Sequence, residues 1–140
     1  MDRTGVRRVL AAACAAVAVS ACELGRGPRL PTGLVGTWSW VEATGGITGQ
    51  TTTPESTGSE MALILSSSGT ARLLRSGVSP RVVSYRVVEM DGAGGPVWEI
   101  RFEPSLLAFE TQTATLPRHD ELVLTDPCCD GFMWRFERAR

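Results

Sequence analysis

The chain has 140 residues, a formal net charge of −1 from 14 cationic and 15 acidic side chains, and 43% hydrophobic residues. That composition suits one folded domain with one core and offers no basic surface to nucleic acid. All 14 cations are arginine, which excludes Schiff-base, P-loop and Ser-Lys chemistry, because each needs a lysine amine.

The N-terminus reads "MDRTGVRRVLAAACAAVAVSAC". Arg3, Arg7 and Arg8 make a positive leading region, Val9 to Val19 is apolar but too short to span a bilayer, and the small residues Ser20 and Ala21 follow. This is the pattern of an export signal over residues 1–21; a buried N-terminal helix would lack the one-sided charge. Val19-Ser20-Ala21-Cys22 resembles the lipobox of bacterial lipoproteins. The resemblance implies cleavage before Cys22, acylation of the Cys22 thiol, and the membrane as a partner through that lipid. Each buried methylene contributes about 0.8 kcal/mol, so two or three acyl chains hold a protein almost permanently. Arg7-Arg8 leaves twin-arginine export open as a route. Glu23, where retained lipoproteins carry aspartate, implies the outer membrane with the protein facing the periplasm. Residues 22–33, beginning "CELGRGPRLP", read as a flexible tether. Removing Arg3, Arg7, Arg8 and Asp2 leaves an acidic excess of three on what remains.

From Leu34 onward apolar residues recur with period two, the spacing that puts alternate side chains on one face of a strand. Leu34, Trp38 and Trp40 share a face, then Met61, Leu63 and Leu65, and, after a turn at Ser66 to Gly69, Ala71 and Leu73. Val83, Tyr85 and Val87 lie on one side of "RVVSYRVVE", with Arg81 and Arg86 flanking the strand or facing the other way. In "VWEIRFE" Trp98, Ile100 and Phe102 oppose Glu99, Arg101 and Glu103. Leu122 and Leu124 repeat the pattern, and Phe132, Trp134 and Phe136 oppose Met133, Arg135 and Glu137. Gly45-Gly46, Ser68-Gly69, Ser79-Pro80, "DGAGGP" and "DPCCDG" punctuate these runs as turns. The expected fold is all-β: after the signal helix, a small antiparallel up-and-down barrel of seven or eight strands over residues 34–140. A two-sheet sandwich satisfies the same alternation and stays open.

Few groups on the inward face carry chemistry, and the chain reads as a binding or structural protein, not an enzyme, with no catalytic residue, cofactor or metal. His119, the single histidine, lies in "PRHD" between strands, where nothing orients it as a base. Zinc needs better-spaced thiolates than Cys128-Cys129 and more than one histidine. With Cys14 in the signal and Cys22 lipidated, Cys128 and Cys129 have only each other, making them a candidate vicinal disulfide. Their α-carbons lie about 3.8 Å apart, below the disulfide window of about 4.4–6.8 Å, so such a ring is strained and reducible. A redox role and a plain turn before the last strand both remain open.

Gly36-Thr37-Trp38 resembles the G-x-W signature of lipocalins. With the closing "LVLTDPCCDGF", the likeness to small lipocalin-like lipoproteins of bacterial envelopes runs from Leu34 to Arg138. It implies a compact barrel, shorter than a full lipocalin, with Gly36, Trp38 and Arg138 as structural signature. By that likeness Arg138 packs over Trp38, a cation–π contact worth about 0.5–2 kcal/mol. The lipocalin C-terminal helix and spaced disulfide are missing. The resemblance implies a small hydrophobic ligand, for which Trp40, Tyr85, Trp98 and Trp134 are candidate contacts, under a lid formed by the Thr44 to Gly58 loop. The alternative is a barrel plugged by its own aromatics, a scaffold binding another envelope protein through its surface or loops.

Overall fold

The computed structural model describes residues 29–107, 110–128 and 130–140. The export signal, Cys22, most of the tether and Cys129 lie outside those residues. In chain order come β1 (Gly36–Gly45), β2 (Gln50–Thr52), α1 (Pro54–Thr57), β3 (Met61–Leu65), β4 (Thr70–Arg75), β5 (Val78–Met90), β6 (Val97–Glu103), β7 (Thr111–Arg118), β8 (Glu121–Thr125) and β9 (Phe132–Arg138). The strands form one antiparallel sheet in the order β2-β1-β3-β4-β5-β6-β7-β8-β9, and β1 also pairs with β9. β1 and β3 to β9 therefore close into an eight-stranded up-and-down barrel, with β2 as a short flange beside β1. Closure decides between barrel and sandwich: one sheet hides its apolar face by curving onto itself.

Alternation places the side chains as the sequence reading expects. Along β6, Trp98, Ile100 and Phe102 are buried while Glu99 and Arg101 are exposed. Trp38, Leu63, Leu65, Ile100, Phe102 and Phe136 are among the fully buried side chains, each worth roughly 1.5–3 kcal/mol relative to exposure. The stagger needed for closure is visible in β5, 13 residues long. Its first part pairs with β4 and its second, from Ser84 on, with β6.

Three details depart from the sequence reading. A bulge between Trp40 and Glu42 makes Val41 an extra residue, so the inward parity passes from Trp38 and Trp40 to Ala43. Glu42 is thereby turned outward to meet Arg135 Nε at 3.0 Å. Ser79-Pro80 is not a turn: both residues lie inside β5, and the turn is at Ser76-Gly77, with Gly77 at φ +73°. Proline is tolerated there because that stretch has β4 on one side only. β7 has no counterpart in the sequence reading, since its inward residues Gln112 and Ala114 are polar or small.

The Thr44 to Gly58 segment is not one long loop but a hairpin, the strand β2 and the single turn α1. Thr53 caps α1, its side chain accepting from Ser56 N while the Ser56 side chain accepts from Thr53 N, with Pro54 in the first turn and Gly58 closing it at φ +63°. This local chemistry interrupts what would otherwise be a continuous strand. β3 pairs with Gly36–Ser39 and β2 with Ala43–Gly45 on the same side of β1, so the wall is breached where α1 leaves it.

Candidate functional site

The meander gives the barrel two unlike ends. At one end lie Leu34, the Ser66–Gly69 and Asp91–Pro96 connections and the His119-Asp120 turn; at the other lie the β1–β2, β4–β5, β6–β7 and β8–β9 connections and α1. The first end is sealed. Trp38 Nε1 donates to Leu34 O at 2.9 Å, and the Arg138 guanidinium lies 4.2 Å from the Trp38 ring centroid. Arg138 also donates to the carbonyls of Gly33 (2.7 Å), Val35 (3.1 Å) and His119 (3.3 Å). A Cβ on Gly36, whose φ is +151°, would run into Arg138 Nη1. The Gly36, Trp38 and Arg138 signature is thus one device: glycine leaves the gap, the guanidinium fills it, and the indole supplies the face beneath.

The second end is open over a cavity of about 470 Å³, within the 300–1,000 Å³ typical of small-molecule sites. Trp40 and Trp134 stand in its walls with ring centroids 6.5 Å apart, and Phe132 packs behind Trp134 at 5.7 Å. Met61, Leu73 and Leu106 add apolar surface, while Thr52, Thr57 and Ser79 add hydroxyls. Val78, Leu107 and the two cations Arg75 and Arg81 complete the lining. Arg81 has the parity of Val83 and Tyr85 but sits at the end of β5, where it reaches over the opening to donate to the carbonyls of Ser105 and Leu106 in the β6–β7 connection. A second hollow of about 570 Å³ lies beside α1, where the wall is breached, and shares Trp40, Met61 and Arg75 with the first. It is partly lined by outward residues such as Ser39 and Ala62 and by Glu55 and Glu60, so it is an outer groove, not an apolar site.

Most unpaired buried side-chain polar atoms belong to tryptophans: the Nε1 atoms of Trp40, Trp98 and Trp134, with the Oε1 of Gln112, are buried without a hydrogen-bond partner among the described residues. An indole nitrogen can only donate, and a buried donor left unmatched costs about 1–3 kcal/mol.

The four candidate contacts separate into two pairs. Trp40 and Trp134 line the open cavity; Tyr85 and Trp98 do not. The Tyr85 hydroxyl donates to Ser66 O at 2.8 Å at the sealed end, and burial pushes its pKa up to about 12. Trp98 is the second residue of β6 and belongs to the core. Sequence reasoning missed Arg75 and Arg81; the parity that Arg81 shares with Tyr85 was the available signal.

"DPCCDGF" forms the β8–β9 connection at the open end. Asp126 organises it: buried at 4% exposure, it accepts from Gln112 Nε2 at 2.7 Å and from Phe132 N at 2.8 Å. Cys128 is exposed; the candidate disulfide involves Cys129 and falls outside the described residues. His119, at the sealed end, is separated from Cys128 by the length of the barrel.

No protein-family model matches the chain, and comparisons with curated proteins and with solved structures return no match. Fold and site define a small closed antiparallel barrel with one solid end and one open, tryptophan-lined end, an architecture compatible with a lipocalin-like barrel.

Proposed function

We propose that this protein is a lipid-anchored lipoprotein of the bacterial envelope, tethered through Cys22, whose barrel holds a small, largely apolar molecule at its open end. The observation that carries the binding reading is the 470 Å³ cavity walled by Trp40 and Trp134 above a filled lower core. The solid half supplies a rigid seat, and the space remaining suits a compact molecule, not a long lipid. The cavity lining is mainly apolar, with three hydroxyls and two arginines, a composition suited to holding a small molecule. The lipobox resemblance and the positive leader support the anchor. The described chain enters the barrel at the sealed end, where Leu30 packs against the core, away from the opening.

The second reading, a scaffold for another envelope protein, draws on the outer face of β5, where Val82 and Val88 are 58% and 60% exposed. Native mass spectrometry of the full chain purified in mild detergent from its own membranes separates the two. A stoichiometric small molecule released on collisional activation is the expected result. Ligand-free protein that cross-links to one partner through β5 would instead establish the scaffold.

A further inference from the structure

Building on the reading of the open end as a binding cavity, we propose that its ligand is an anionic amphiphile, a short apolar body bearing one carboxylate or phosphate head. The cavity faces are apolar apart from neutral hydroxyls and two formal charges, both positive, those of Arg75 and Arg81. Neither arginine forms an ion pair among the described residues. Arg75 Nε donates to Ser59 Oγ at 3.3 Å, and Arg81 donates to two backbone carbonyls. A guanidinium has five N–H donors, so both retain free donors, and neither charge is neutralised by those neutral acceptors. Glu55 and Glu60 share the outer groove with Arg75 and do not line this cavity.

The apolar half of the site comes from Trp40 and Trp134, which line the same cavity as the two arginines and offer large aromatic surfaces to a short hydrocarbon body. A cationic ligand would be repelled by both guanidinium groups, and a purely hydrocarbon one would leave them unpaired. Size limits the rest: 470 Å³ equals the liquid share of about sixteen waters at ~30 Å³ each, room for a head and a body of medium length.

The test is isothermal titration calorimetry of the purified protein at neutral pH with decanoate, decyl phosphate, decan-1-ol and decylammonium. The expected result is that at least one anion binds tenfold or more tighter than decanol, with decylammonium weakest. The tighter anion identifies a free carboxylate or a phosphate ester as the head. Arg75→Gln, checked for unchanged thermal unfolding, should lower anion affinity at least threefold and leave decanol within a factor of two. Decanol binding as tightly as both anions would overturn the anionic inference while leaving the cavity reading intact, as would an Arg75→Gln variant with unchanged anion affinity. No binding of any probe at millimolar concentration would overturn both.

Discussion

The clasp at the sealed end makes a quantitative prediction about coupling. Arg138→Met keeps the length of the stem but removes the guanidinium, and with it the contact 4.2 Å from the Trp38 ring and the donors to Gly33, Val35 and His119 carbonyls. A cation–π contact contributes about 0.5–2 kcal/mol and a hydrogen bond from a charged donor about 1.5–3 kcal/mol, discounted here because Arg138 is half-buried. A loss of about 3 kcal/mol follows, or roughly 12 °C in Tm for a domain near 110 residues. Gly36→Ala should cost about 2–3 kcal/mol, part from a methyl group at φ +151° and part from collision with Arg138 Nη1. Only the collision disappears when the guanidinium is also removed. The double variant should therefore be more stable than the sum of the two losses predicts, by about 1 kcal/mol or more. Urea unfolding followed by tryptophan fluorescence, with all four proteins measured together, reads this directly. Losses that add within about 0.5 kcal/mol would refute the claim that glycine and arginine form one device.

Tyr85 is the chain's only tyrosine, so tyrosinate absorbance near 295 nm reports it alone. Burial raises its pKa from 10.0 to about 12, which means the fold favours the neutral phenol. Its contribution is complete below pH 10 and is lost as pH rises from 10 towards 12, at about 1.4 kcal/mol per unit; a native midpoint at the ordinary value of 10 would contradict this. Asp126→Ala strips acceptors from Gln112 Nε2 and Phe132 N and should destabilise by about 2–4 kcal/mol, read by the same urea titration. A loss under 0.5 kcal/mol would show that solvent replaces Asp126. Cys22→Ser in the full chain should abolish incorporation of labelled palmitate and release the protein from carbonate-washed membranes. Continued membrane retention without label would remove Cys22 as the anchor.

The strands were legible wherever one face is apolar and the other charged. "VWEIRFE" can be read as β6 because water accepts Glu99 and Arg101 and rejects Trp98, Ile100 and Phe102. β7 was not legible, because Gln112 and Ala114 face inward for reasons external to the strand. Gln112 is matched by Asp126 on the connection to β9, and Ala114 is small opposite Trp98, its partner in β6. The bulge at Val41 escaped for a similar reason. Its neighbours look like ordinary strand residues, and only the register with β9 makes one of them extra.

By itself the sequence determined that this chain is a set of antiparallel strands with a wet and a dry face, because side-chain alternation and turn chemistry are local. Tertiary structure decided that the sheet closes, since closure depends on β1 meeting β9 across almost the whole domain. It also decided which aromatics fill space and which border it. Trp40 and Trp98 carry the same side chain at inward positions, yet one stands beside the opening and the other lies within the core. Their difference comes from stagger, bulge and the break at α1, which exist only once the strands are joined.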